Sequence, residues 1–259
     1  MDLKYLKHLA KRGSIFIHPK GFEATDLLIS KLNIKPSDEI LEIGCGTGGT
    51  LIEIISRYGI KVTAVEILDE MLTAAEENLK SLNLTDKAEI SNIKPGEKYP
   101  FENNSFDKIY AESVIGFQDK PGMEFIFSEI RRLIKPNGIF ILNDALWKQG
   151  VPDSIVNRIT RQAYKDFGLA HASPSNIDID GLTKIARGYG LEVKEIVDLD
   201  KTIKAGNASS NDNNVKFNKP KNKFSLVNFT YNLSYRLKLK KHSNTGNYII
   251  SYLISFNVI

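Results

Sequence analysis

Gly44, Gly46, Gly48 and Gly49 fall within six positions of the stretch LEIGCGTGGT, residues 41–50, directly after a short apolar run. Glycine at the end of a strand allows a tight turn and lets a ligand come close to the backbone. Glu66, about twenty residues further on in KVTAVEI, sits where a carboxylate can accept two hydrogen bonds from a ribose diol. Gly44, Gly46 and Gly49 satisfy the G-x-G-x-x-G fingerprint of dinucleotide-binding folds. A nicotinamide or flavin cofactor therefore remains open on these residues alone. Glu42, two residues before the first glycine, stands where dinucleotide-binding strands are mostly apolar, and some forty residues precede the strand. Both features weigh against a nicotinamide or flavin cofactor.

The elements that must carry these residues alternate. FEATDLLISKL (22–32) has the apolar spacing of a helix. EILEIG reads as a short buried strand, TGGTLIEIISRYG as a helix ending at Gly59, and KVTAVEI as a second strand. DEMLTAAEENLKSLNL reads as a helix with Asp69 as N-cap. AEISNI, FDKIYAES and GIFILND supply three more strands, with the helix GMEFIFSEIRRLI closed by a Pro136-Asn137-Gly138 turn. Helices are expected over 153–167 and 179–188, and strands in LEVKEIVDL and NYIISYLISFNVI. The alternation predicts an α/β fold: a Rossmann-like, doubly wound, mostly parallel sheet of seven strands with right-handed crossovers. The last strand follows no evident crossover helix and is expected to pair antiparallel.

At 259 residues, 42% hydrophobic and 25% charged, the chain has the composition of one globular domain. No run of 18 apolar residues suggests a membrane span, and the N-terminal stretch lacks the apolar core of a signal peptide. A cytoplasmic location is the expectation. Cys45, the single cysteine, cannot form an internal disulfide; no metal is expected. The net charge of +4 is uneven: residues 201–259 hold ten Lys and Arg against one acid, Asp212. The Asn- and Lys-rich part, residues 201–224, reads as an insertion loop.

Several stretches together resemble class I S-adenosylmethionine-dependent methyltransferases. ILEIGCGTG resembles that family's first motif and VTAVEILDEML its second-strand segment; YPFENNSFDKIYAES and FIFSEIRRLIKPNGIFILND resemble its later segments. The likeness covers about residues 18–145 and is nearest the quinone and sterol methyltransferase branch. It implies S-adenosyl-L-methionine as cofactor, S-adenosyl-L-homocysteine as product and a small-molecule acceptor. It also implies cofactor contacts at Glu42, Ile43, Gly44, Cys45, Gly46 and Gly48. Glu66 would take the ribose and Ile67 the adenine. Asn92, with Ile93, would stand where the family often has an Asp for the adenine amino group. Glu112 and Ser113 would face the methionine end and the acceptor. In this organisation, residues 1–35 are a helical lead-in, 36–145 the cofactor-binding core, 146–190 a helical cap, and 191–259 the last strands.

Methyl transfer is an in-line displacement at a sulfonium, and placement of the nucleophile supplies most of the catalysis. An oxygen nucleophile also needs a base. The candidate bases are His18, Glu112, Asp144 and His171. An acceptor surface is expected from residues 1–20 and 145–190, with Phe117, Trp147, Tyr164 and Phe167 as apolar candidates. Two other readings stay open. Phe217, Phe224, Phe229, Tyr231 and Tyr235 are interleaved with Lys and Arg, a pattern that can bind RNA. A regulatory protein could also keep the cofactor site without turnover.

Overall fold

The computed structural model describes residues 3–203, 238 and 240–259. The chain opens with α1 (Lys4–Lys11) and α2 (Gly21–Leu32). It then alternates through β1 (Ile40–Ile43), α3 (Gly49–Tyr58), β2 (Val62–Glu66), α4 (Asp69–Ser81), β3 (Ala88–Asn92) and β4 (Phe106–Glu112). There follow α5 (Lys120–Leu133), β5 (Ile134–Trp147), α6 (Asp153–Phe167), α7 (Ile179–Gly188), β6 (Leu191–Asp198), α8 (Leu199–Thr202) and β7 (Ile249–Val258).

The seven strands form one sheet in the order β3-β2-β1-β4-β5-β7-β6. β1 to β5 pair in parallel. β7 is inserted between β5 and β6 and is antiparallel to both. The expected antiparallel last strand is therefore present, and it is interior rather than at an edge. Its density of Ile, Leu and Phe follows from that position, because an interior strand is covered on both faces. The order reverses between β1 and β4, so the connections that leave the carboxyl ends of these two strands turn to opposite sides and leave a crevice.

Two apolar layers sandwich the sheet. α2 and α3 cover one face through Leu28, Ile29, Leu51 and Ile55, and α5 and α7 cover the other through Phe127, Ile130, Leu182 and Ala186. Phe256 of β7 stacks on Phe140 of β5 with ring centroids 5.3 Å apart and meets Phe127 of α5 edge-on at 6.4 Å. α6 packs at the end of β5, where Trp147, Val156, Ile159 and Ala172 make a separate small cluster.

Three local expectations change. Leu68, with no side-chain bond, occupies the cap position of α4, and Asp69 is its first residue. The Pro136-Asn137-Gly138 turn does not precede β5 but is looped out within it: one residue of β4 faces four of β5 between the pairs Phe106–Ile134 and Lys108–Ile139. Asn137 takes a positive φ of 64° there. Lys201 and Thr202 belong to α8, so the basic insertion starts later than expected. The remainder of that insertion, and Phe217, Phe224, Phe229, Tyr231 and Tyr235, lie outside the described residues.

Truncating Phe256 to Ala removes a ring that is wholly buried between the sheet and α5. The expected loss is about 3–5 kcal/mol of unfolding free energy, measured by urea denaturation, with no change of sheet content before the transition.

Candidate active site

At the carboxyl ends of β1, β2 and β4 lies a cavity of about 770 Å³, within the range of small-molecule sites. Its floor is the glycine loop. Gly44 and Gly46 have φ of 74° and 54°, values that suit glycine. A Cβ on Gly46 would meet nothing within 4 Å. The glycine is thus required by backbone conformation and not by crowding, and the peptide stands bare to the cavity. A Cβ on Gly48 would lie 3.3 Å from that of Ala75 in α4, so this glycine also serves close packing.

Three carboxylates, Glu42, Glu66 and Glu112, line the cavity, and all are buried. Glu66 is held by backbone donors. Gly46 N–H donates to its Oε2 at 2.8 Å, and Ile67 and Leu68 N–H donate to its Oε1 at 2.7 and 2.9 Å. Burial raises its pKa, against the pull of those three bonds. Because a carboxylate offers about four acceptor positions, roughly one remains open, on Oε2.

Glu112 is held by side chains. Thr50 Oγ1 donates to its Oε1 at 2.6 Å, and Asn143 Nδ2 donates to its Oε2 at 2.8 Å. Register explains the second bond, since Glu112 and Asn143 are direct neighbours on β4 and β5. His18 joins the same group, with Nδ1 3.1 Å from Asn143 Nδ2 and 3.3 Å from Glu112 Oε2, and Nε2 3.0 Å from Thr25 Oγ1. Nδ1 thus faces both the Asn143 amide and the Glu112 carboxylate, and Nε2 faces the Thr25 hydroxyl.

Glu42 is less well supported. Its Oε2 is buried without a hydrogen-bond partner, as is the hydroxyl of Tyr110, its direct neighbour in register. Burial, then the charges of Glu112 and Glu66, push its pKa up to about 8, with the nearby Tyr110 hydroxyl working the other way. Cys45 lies in the same loop; burial and the charges of Glu42 and Glu66 hold its thiol well above the ordinary range, so it is a poor nucleophile.

The remaining sequence candidates separate. Ile43, Ile67, Ile93 and Ser113 line the cavity, Ser113 with a positive φ of 54°. Asn92 does not. Its Nδ2 donates to Asp69 Oδ1 at 2.7 Å, and Ile93 with Lys94 takes the place beside the cavity. Asp144 faces away. Its Oδ2 accepts from the N–H groups of Val114, Ile115 and Gly116 at 3.1, 2.9 and 2.7 Å, and so it shapes the loop after β4. Burial raises its pKa to about 6 against those bonds. His171 is outside the cavity: its Nε2 lies 2.9 Å from His242 Nδ1, and His242 Nε2 lies 3.0 Å from Asp166 Oδ2. Burial, then His242, lowers the His171 pKa to about 4.

The expected contribution of residues 145–190 is not found among the described lining residues. Trp147 is buried and donates to Ser173 O at 2.6 Å, Phe167 packs on Tyr5, and Tyr164 is partly exposed. The apolar walls come instead from Leu3, Leu6, Phe16 and Ile17 on one side and from Phe117 and Phe125 on the other. Thr25, Thr50 and Asn143 were not legible as site residues. Their only signal was position, since Thr50 follows the glycines and Asn143 sits at the end of a strand.

Residues 40–138 match the family model described as "Methyltransferase domain". A sterol 24-C-methyltransferase of Saccharomyces cerevisiae is 29% identical over 174 residues, 66% of this chain and 44% of that enzyme. The matched stretches span from 26% to 55% of the length of such curated relatives. Among solved structures, geranyl diphosphate C-methyltransferase of Streptomyces coelicolor, crystallised with S-adenosyl-L-homocysteine, superposes with a TM-score of 0.62. It is 16% identical, over 92% of this chain and 79% of that one. The [4+2]-cyclase SpnF superposes with a TM-score of 0.69 at 15% identity, over 99% and 93%. The match to the methyltransferase domain model thus falls on residues 40–138, which carry the glycine loop, Glu42, Glu66 and Glu112.

The raised Glu42 pKa fixes a pH dependence. The folded protein holds this proton more tightly than the unfolded chain, so Glu42's own contribution to stability is fully present below about pH 4.5 and is lost as pH rises through about 8. Glu42→Gln removes that contribution. At pH 8.5 the variant is expected to be more stable than the parent by about 1–3 kcal/mol, with the difference vanishing near pH 5 in urea titrations.

Proposed function

We propose that this protein transfers a methyl group from S-adenosyl-L-methionine to a small-molecule acceptor carrying an O, N or C nucleophile. The observation that carries the reading is the Glu42 carboxyl, whose Oε2 has no hydrogen-bond partner, beside a bare glycine backbone, with Glu66 and Glu112 in the same cavity. A buried site with three carboxylates in its lining suits a ligand with an ammonium and a sulfonium.

Glu42 would receive the amino group, and the backbone of Gly44 to Gly46 the carboxylate end. Glu66 would take the ribose, using the acceptor position left on Oε2. A second hydroxyl would require one of its backbone bonds to give way. Ile67 and Ile93 would enclose the adenine in place of Asn92. When bound, the cofactor supplies an activated methyl group on a good leaving group. The protein's task is to present the nucleophile in line and to exclude water. Leu6, Phe16, Ile17 and Phe117 form apolar walls suited to that. Glu112 is the carboxylate best placed to receive a proton from an O–H or N–H acceptor, because it lines the cavity while Asp144 is occupied by backbone. No described helix is long and apolar enough to cross a membrane; a cytoplasmic setting remains part of the proposal.

Calorimetric titration with S-adenosyl-L-homocysteine tests the reading, with NADH in parallel. Micromolar binding of the former and none of the latter is expected. Glu66→Ala should weaken binding more than tenfold, since it removes a ribose acceptor and frees Gly46 from its anchor. Binding of NADH alone would replace this reading with the dinucleotide one.

A further inference from the structure

The stretch between β4 and α5, residues 113–119, forms one wall of the cavity and is held from two sides. Ser113 turns the chain out of β4 with φ of 54°, a conformation that non-glycine residues keep only where neighbouring contacts impose it. Its N–H donates to Asn143 O at 2.9 Å. The next three N–H groups, of Val114, Ile115 and Gly116, converge on Oδ2 of Asp144, which is 3% exposed. A Cβ on Gly116 would collide with Asp144 Oδ1, so this glycine is what lets the carboxylate approach. On the other side lies the segment after α6. Ser173 is wholly buried and donates from Oγ to Gln118 O at 2.7 Å. Trp147 Nε1 fixes Ser173 in turn, and Lys120 N–H at the start of α5 donates to Ser175 Oγ at 3.0 Å.

We propose that Asp144 is a positioning residue for the methyl acceptor: it fixes the wall that carries Phe117 and Gln118, with Ser173 as the second anchor, and so selects acceptors without touching them. Ser113, Val114, Phe117 and Gln118 line the cavity, whereas Asp144 and Ser173 do not. Val114 Cγ2 fills the room that Gly44 leaves, 2.5 Å from where a Cβ of that glycine would stand, so the wall is set directly against the glycine loop. Gln118 is turned back on the wall by its own Nε2, which donates to Val114 O at 3.0 Å. Phe117 therefore presents the apolar face that an acceptor meets. An acceptor must be held in line with the methyl group, and a misplacement of about 1 Å lowers the rate about a hundredfold. Three N–H groups gathered on one oxygen give the wall that rigidity. Ser173 gives the segment 145–190 a part in the acceptor site, from behind its lining.

This inference rests on the cofactor site proposed above, and the test separates the two. The probe is N-phenyl-1-naphthylamine, a neutral apolar amine whose fluorescence rises on burial, titrated into the full chain saturated with S-adenosyl-L-homocysteine. Affinity for the homocysteine product is measured by calorimetry, and hydrogen–deuterium exchange on the ligand-free chain. For Asp144→Ala, probe affinity is expected to fall about tenfold and product affinity to change by less than about threefold, with faster exchange over residues 113–119. Asp144→Asn keeps a carbonyl oxygen for the three N–H groups and should recover most of the probe affinity. Ser173→Ala should show a smaller loss. Phe256→Ala, destabilised elsewhere in the sheet, should lower the unfolding midpoint and leave probe affinity at the wild-type value, which is the pattern a merely structural role of Asp144 would also give. Unchanged probe affinity in Asp144→Ala, an equal loss of probe and product, or no probe binding to the saturated wild type would overturn the proposal. Failure of the wild type to bind the homocysteine product would overturn the cofactor site instead. Exchange over residues 113–119 would then still decide the hold of Asp144, and wild-type exchange there in Asp144→Ala would refute it.

Discussion

Burying a carboxylate without a counter-charge is unfavourable by several kcal/mol, and this protein buries three around one glycine loop. Each is accommodated differently. Glu66 is surrounded by backbone N–H groups, and Glu112 by a hydroxyl, an amide and an imidazole. Glu42 has an oxygen with no partner, and its pKa rises to about 8 so that the group stays neutral. The sequence of the loop, the position of the lead-in segment and the polar residues on α2 and α3 all serve this arrangement.

The sheet makes the cluster possible. Strand alternation sends Glu42, Tyr110, Glu112 and Asn143 to the face covered by α2 and α3, because Glu42 pairs with Tyr110 and Glu112 with Asn143 in register. Asp144, one residue on, points to the opposite face and ties down the loop after β4. The insertion of β7 beside β5 fixes the end of that strand through nine successive register pairs, from Ile139 to Trp147. Small errors of register would therefore exchange the roles of Asn143 and Asp144.

The alternation of strands and helices was legible because each element carries its own periodicity, and α3 and α6 are closed by Gly59 and Gly168. The glycine loop and Glu66 were legible because their chemistry depends on local spacing. The partners of Glu112 were not, because Thr25, Thr50 and Asn143 come from three separate elements and nothing local distinguishes them. His18 could be named as a candidate, but its engagement at both nitrogens depends on contacts up to 125 residues away. His171 and Asp144 looked equally suited to act as bases. Only the fold shows one joined to His242 and the other to backbone N–H groups. The distant looped-out residues in β5 were misplaced for the same reason, since the pattern gives a turn but not the partner strand that makes it a bulge.

The most direct test of the account is the number of protons released when S-adenosyl-L-homocysteine binds at pH 7, obtained by calorimetry in buffers of different ionisation enthalpy. The ammonium of this ligand would meet Glu42, whose pKa of about 8 leaves it mostly protonated beforehand. Release of about one proton per site is predicted, with none released by Glu42→Gln. Binding without proton release in the wild type would contradict the claim that the buried carboxyl awaits a cation.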